Sequence, residues 1–322
     1  MAIITSAFDV DKVTDIYVPS DDIKQGYIYP GRLPIPESMY PLSYSLVESV
    51  KKKRQNNCTV SFQGMAFRAH VMPTSRGDFF IFRRMPSKIL SPRELGLPSV
   101  ISNNLMSSRL LKGGLIIVSG LPGNGKSTTL GSVVIERLKK FGGICITIED
   151  PAEMPLQGQH GEGLCLQRSI SNEEDFAPAI RDALRAYPAK TAAMMMIGEI
   201  RDSKSAALAL RSAVDGRLVL LTMHAGNVIQ SIQRICTMAS RDIPMDEARE
   251  LLASSFRLAM HQRLVTGPDG KNKLRVNILM DTVAVAGTIR QPHISLENLQ
   301  NEVAQQHNLL KNGMPVELRT IE

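Results

Sequence analysis

The stretch Gly120-Leu121-Pro122-Gly123-Asn124-Gly125-Lys126-Ser127, followed by Thr128, constrains this chain more than any other. Its spacing, G-x-x-x-x-G-K-S, calls for a backbone that turns sharply at glycines, so that successive N–H groups point into one concavity. Phosphate oxygens fit such a concavity, and a helix starting at its end adds a favourable dipole. The lysine reaches the outer phosphates, and the serine hydroxyl suits magnesium. The neighbours of the loop agree: GLIIVSG before it reads as a short buried strand, and residues 127–140 after it read as a helix. A chance glycine-rich turn would have no reason to sit between those two elements.

The chain beyond the loop keeps the same alternation. ICITIED is a second buried strand, residues 174–186 are helical, MMMIG is a third strand, 203–213 are helical, and LVLLTMH is a fourth strand. Apolar strands separated by helices imply α/β architecture with a mostly parallel sheet covered on both faces. From about residue 229 onward the pattern reads mostly as helices, with a hairpin expected at 262–281 around Gly267-Pro268-Asp269-Gly270.

The first hundred residues differ. Residues 42–50 read as a helix, and Lys51-Lys52-Lys53-Arg54 as its solvated end, favoured by the helix dipole. No aromatic is interleaved with that run, so it is not read as a nucleic-acid patch. Residues 58–71 and 78–84 read as two strands around a turn at 73–77. Three prolines and a glycine in 85–98 mark an interdomain linker. The expected division is an N-terminal domain over 1–90, a linker over 91–98 and an α/β domain that carries the glycine-rich loop, with a C-terminal helical part, over 99–322.

Composition narrows the setting. No apolar run reaches the roughly 18 residues that span a bilayer, and the first residues lack the basic start of a signal peptide, so a cytosolic protein is expected. Cys58, Cys145, Cys165 and Cys236 form no C-x-x-C pair and are expected to be reduced, buried thiols. The net charge of +7 fits an acidic membrane surface or a nucleotide-binding machine and does not require nucleic acid.

Three further groups stand at the ends of the apolar strands. Glu149, Asp150 and Glu153 follow the second strand, where carboxylates can hold magnesium through water and polarise an attacking water. The third strand ends in Gly198-Glu199. A nucleotide hydrolase normally ends such a strand in an aspartate, and here a glycine takes that place, with the carboxylate one step later. Glu199 can orient a lytic water or contact the metal shell. His224 ends the fourth strand and can sense a γ-phosphate by hydrogen bonding.

GLPGNGKSTTL, TIEDPAE, MIGEIRDSKSAALALRSAVDGRLVLLTMHA and SFRLAMHQRLV together resemble the secretion-ATPase superfamily of type II and type IV secretion, and within it the type IV pilus retraction branch. The resemblance implies a PAS-like α/β N-terminal domain followed by a RecA-like P-loop domain. It implies ATP and Mg²⁺ as cofactors. It makes Gly120 to Thr128 the Walker A loop, Glu149, Asp150 and Glu153 an aspartate box, Glu199 the catalytic glutamate and His224 part of a histidine box. In this reading Lys126, Glu153 and Glu199 are catalytic, and Ser127, Glu149 and Asp150 hold the metal. Arg68, Arg76 and Arg83 match arginines that the N-terminal domain supplies to the nucleotide, a task suited to forked guanidinium donors.

The resemblance further implies a homo-hexamer, cytoplasmic and peripheral at the inner membrane, working on a platform protein of a pilus or secretion machine. Type IV secretion or conjugation within the superfamily is one alternative. A DNA-dependent RecA-like motor and a nucleotide-binding scaffold without turnover are others.

Overall fold

The computed structural model describes residues 12–170, 176–268, 270 and 272–321. They form two compact units. The first takes the chain up to Lys88, together with Asp150–Pro155 and a short stretch beginning at Ser169. The second holds the remainder.

In the first unit the strands are β1 (Asp15–Pro19), β2 (Tyr27–Tyr29), β3 (Leu33–Pro34), β4 (Asn57–Phe62), β5 (Met65–Thr74) and β6 (Gly77–Arg84). They make an antiparallel sheet in the order β3-β2-β1-β6-β5-β4. Helix α1 (Tyr40–Lys53) buries Leu42, Leu46 and Val50, spaced four apart and so on one face. They share a core with Ile16, Val18, Val60, Phe67 and Phe82. The three lysines of its last turn are exposed, as expected of a solvated helix end.

The strand expected over 58–71 is in fact two, β4 and β5. The chain reverses at Gln63-Gly64, both with positive φ, at 46° and 82°, the pairing that two-residue hairpins favour because it matches strand twist. Apolar residues continue on both sides of the turn, which hides it in the sequence. The next turn is tighter than expected: β5 runs on to Thr74 and β6 starts at Gly77.

The second unit is built on β7 (Gly114–Ser119), β8 (Gly143–Glu149), β9 (Gly158–His160), β10 (Gly163–Ser169), β11 (Ala193–Ile197), β12 (Leu218–Met223), β13 (Phe256–Thr266) and β14 (Asn272–Met280). Their order is β14-β13-β7-β12-β11-β8-β10-β9. The five central strands, β13, β7, β12, β11 and β8, run parallel. Every residue of β7 and β12 is buried, which explains their unbroken apolar sequences.

The helices of this unit are α2 (Ser99–Leu105), α3 (Lys126–Phe141), α4 (Phe176–Ala186), α5 (Ser203–Val214), α6 (Val228–Ala239), α7 (Met245–Ser255), α8 (Val283–Arg290) and α9 (Leu299–Lys311). Residues 174 and 175, the expected start of α4, lie outside the described residues, as does Asp269 of the expected hairpin turn.

Two features of this sheet were not expected. The hairpin placed at 262–281 begins at Phe256, directly after α7, and its first strand lies beside β7 in the parallel sheet. Arg257, His261 and Gln262 are buried polar residues on that strand, and they disguise it. The β9–β10 hairpin at the other edge is short and polar, and nothing in its sequence announces it.

The segment around Arg319 is tied to the rest of this unit. Arg319 donates from its backbone N–H to the Asp281 carbonyl (2.9 Å), and its guanidinium donates to the Asp281 carboxylate and to the carbonyls of Ala253 and Ser254. The four cysteines are buried and free. Among the described residues, no helix is long and apolar enough to cross a membrane.

Candidate nucleotide site

The parallel strands β7, β12, β11 and β8 are consecutive neighbours, so their carboxyl ends form one row. Ligands of open α/β sheets bind along such a row. The glycine-rich loop follows β7, His224 follows β12, Gly198-Glu199 follows β11, and Glu149 ends β8. Segments far apart in sequence thus become adjacent.

The loop has the shape its sequence requires. Gly123 and Gly125 adopt φ of 78° and 75°, a region closed to most side chains. Helix α3 starts at Lys126, so its N-terminal N–H groups face the loop. Lys126 is buried, and its Nζ donates to the carbonyls of Gly120 (3.0 Å) and Leu121 (3.1 Å). The ammonium also lies 3.5 Å from His224 Nδ1.

His224 connects the lysine to Glu199. Its Nε2 is 3.5 Å from Glu199 Oε1. An ammonium can only donate, so Nδ1 accepts, and the proton of a neutral ring then sits on Nε2, facing the carboxylate. Arg201 Nε donates to Glu199 Oε2 at 2.9 Å, and Arg234 donates to the His224 carbonyl at 3.0 Å. Both oxygens of Glu199 therefore have a nitrogen nearby, one of them through a hydrogen bond.

Gly198 has a spatial explanation. A Cβ at this position would lie 3.3 Å from both Cα and Cγ of Glu149, inside the ordinary carbon contact of about 3.5–4.0 Å. The stem of Glu149 lies across the glycine. The methylene stem of Glu149 on the neighbouring strand thus takes the space that a side chain on Gly198 would fill. Gly198 is pinned from both sides: its N–H donates to the Ile148 carbonyl (2.8 Å), and its carbonyl accepts from the Thr222 hydroxyl. Glu149 is itself buried, and its Oε1 accepts from the Thr147 hydroxyl (2.7 Å) and from Gln167 Nε2 (2.8 Å).

The other expected site residues lie as follows. Ser127 and Thr128 are in the first turn of α3. Asp150 and Glu153 belong to the first unit, unlike Glu149. There Arg68 Nη1 approaches Glu153 Oε1 at 3.4 Å, between half-exposed side chains. Arg83 is paired with Asp15 at 2.8 Å, and this hydrogen bond raises its pKa. Arg76 is exposed in the turn between β5 and β6.

Sequence reasoning passed over Thr147, Gln167 and Thr222, the groups that orient Glu149 and Gly198. Only Arg201 carried a signal, as a charge directly after the third apolar strand. The others are ordinary polar residues whose roles arise from strand pairing.

Residues 51–309 match the family model described as type II/IV secretion system protein. The chain belongs to that family. Among its relatives, a twitching motility protein of Neisseria gonorrhoeae is 29% identical, over 90% of this chain and 76% of the relative. The type IV pilus retraction ATPase PilT of Pseudomonas aeruginosa is 28% identical, over 89% and 79%. A crystal structure of the pilus retraction motor PilT with bound ADP aligns with a TM-score of 0.70 at 26% identity, over 93% of this chain and 86% of that one. The ATPase DotB of Legionella pneumophila shares the fold, with a TM-score of 0.71 at 20% identity over 93% and 84%. The protein is therefore a PilT-like member of the secretion and pilus ATPase superfamily, with the nucleotide-binding α/β architecture that its loop implies.

Proposed function

We propose that this secretion-family protein is a cytoplasmic motor that assembles as a homo-hexamer and couples ATP hydrolysis to type IV pilus retraction at the inner membrane. The observation that carries the hydrolytic part is the connected series Lys126–His224–Glu199 along adjacent strand ends. The retraction part rests on the likeness to the twitching motility and PilT proteins.

In this reading the loop N–H groups and the α3 N-terminus receive the phosphates, and Lys126 exchanges its carbonyl partners for phosphate oxygens. Glu199 accepts a proton from the attacking water, held in place by Arg201 and His224. His224 links lysine and glutamate, so a change at the phosphates reaches the base. Ser127 and Glu149 offer the hard oxygen donors that Mg²⁺ prefers, and when bound the ion would neutralise charge developing on the phosphates. Asp150 is a further oxygen donor for that ion, and Glu153 a helper in placing water. Arg68, Arg76 and Arg83 would contribute guanidinium groups to the nucleotide. The segment 85–98 holds no strand or α-helix, and it would serve as the hinge between the domains at 1–90 and 99–322.

Phosphate release from ATP tests the reading. Wild-type protein should hydrolyse ATP steadily, Lys126→Ala should not, and added DNA should leave the rate unchanged. An inert wild type would refute the ATPase assignment, and strong stimulation by DNA would favour a nucleic-acid motor. Loss of pilus retraction on deletion, with pili still assembled, would support the cellular role.

Gly198→Ala examines the Glu149 contact. The added methyl must push the Glu149 stem aside, so turnover should fall several-fold while the melting temperature stays near that of the wild type. Full activity would show that the placement of Glu149 is not critical.

A further inference from the structure

Strand β13 holds the glycine-rich loop at three points. Gln262 Nε2 donates to the Asn124 carbonyl at 2.6 Å. The Asn124 side-chain Oδ1 accepts from the Leu264 N–H at 3.0 Å. At Gly120 the two backbones approach so closely that a Cβ would lie 2.5 Å from the Gln262 carbonyl oxygen, and φ is 151°. Loop and strand are 138 residues apart in sequence at the first of these contacts.

Gln262 is fully buried, and its Oε1 has no hydrogen-bond partner among the described residues. An unsatisfied buried acceptor is costly. Turning the amide over would not relieve it, because the side-chain oxygen would then face the Asn124 carbonyl, oxygen against oxygen. The residue keeps an unsatisfied acceptor in order to place its donor on the loop. A side chain serving only the core would do better as an apolar residue of the same size, and such local inconsistency is characteristic of functional positions. Nearby, His261 Nδ1 lies 3.4 Å from Ser119 Oγ, on the last residue of β7 before the loop. Burial, with Arg263 and Lys126 adding to it, holds the pKa of His261 below its ordinary value. The ring is therefore neutral at physiological pH and adds no repulsive charge beside Lys126.

We propose that Gln262 is a positioning residue for the nucleotide. Together with Asn124 and the Leu264 N–H it clamps the loop in its phosphate-cradling shape before any nucleotide arrives. The affinity part of this proposal rests on the ATPase reading above; the clamp itself does not. Because β13 continues into β14, α8 and α9, the clamp also ties the loop to the C-terminal part of the unit.

Two measurements on the full-length protein test it. Hydrogen–deuterium exchange of the nucleotide-free protein reads the clamp directly. In Gln262→Met, which keeps length and loses the donor, peptides covering 120–125 should exchange several-fold faster, while β7, β11 and β12 exchange as in the wild type. Binding of the fluorescent probe mant-ADP should weaken by about three- to tenfold, the equivalent of one hydrogen bond. The KM for ATP should rise by a similar factor, with kcat changing less. Asn124→Ala, in a half-buried loop position, should act in the same direction and serves if Gln262→Met folds poorly.

Unchanged loop exchange in both variants would overturn the proposal. So would faster exchange throughout the second unit in both variants, since the contacts would then only support the core. If wild-type protein failed to bind mant-ADP, the ATPase reading would fall, and the exchange comparison would still decide whether the clamp exists.

Discussion

Glu199→Gln is expected to bind ATP and fail to hydrolyse it. The substitution preserves shape, and its one amide oxygen can still accept from Arg201 Nε, the 2.9 Å contact, while the amide nitrogen takes the side facing His224. It removes the negative charge and the capacity to take up a proton. A positioned general base is worth about 10²–10⁴ in rate, and turnover should fall by that factor. Affinity should hold, because in the proposed arrangement the phosphates would be gripped by the loop N–H groups and by Lys126, whose ammonium donates to the Gly120 and Leu121 carbonyls and not directly to Glu199. Single-turnover phosphate release and mant-ATP titration would separate the two effects. Turnover within a few-fold of the wild type would remove Glu199 as the base and direct attention to Glu149, the buried carboxylate whose stem crosses Gly198. Loss of binding along with turnover would point to a collapsed site.

The parts of this site that were legible in the sequence share a physical origin. β7, β8, β11 and β12 are covered on both faces, so they must be apolar along most of their length, and a polar residue just past such a run stands out. Glu149, Glu199 and His224 stand out in that way, whereas Lys126 stands out through the spacing of the glycine-rich loop. The glycine at 198 was legible as an oddity, but its reason was not, because it depends on which strand lies next to β11. β13 was obscured for the opposite reason: Arg257, His261 and Gln262 break the apolar run that would have marked a buried strand, and each is buried for a contact made far along the chain. The turn at Gln63-Gly64 was missed because apolar residues continue through both strands of its hairpin. Pairings such as Gln262 with Asn124 are set by sheet order, which no local pattern encodes.

Asp281→Leu is expected to cause the largest loss of stability. The Asp281 side chain is fully buried, and three guanidinium groups converge on it. Arg257 Nη1 lies 3.5 Å and Arg109 Nη2 3.6 Å from Oδ2. Arg319 donates to Oδ2 from Nη2 at 3.3 Å and from Nε at 3.4 Å, and its Nε also lies 3.2 Å from Oδ1. Burial pushes the Asp281 carboxyl up to about 6, against the pull of the three arginines, so it is ionised above pH 7. Burial also pushes Arg257 down to about 10, where it remains cationic. Leucine at 281 would leave three cations facing one another around an apolar side chain. Removing one member of a buried ionic group costs about 3–5 kcal/mol, a large share of the roughly 5–15 kcal/mol that holds a typical domain together. The Arg319 contacts to Ala253 and Ser254 should loosen as well, freeing the end of the chain. A fall in melting temperature of about 10 °C is expected, at roughly 2–4 °C per kcal/mol for a unit of this size. Arg319→Met should cost less than half as much, because two cations and one carboxylate remain. Calorimetry above pH 7 would measure both. A wild-type melting temperature in Asp281→Leu would mean that solvent already screens the arginines and that the cluster contributes nothing to holding the tail.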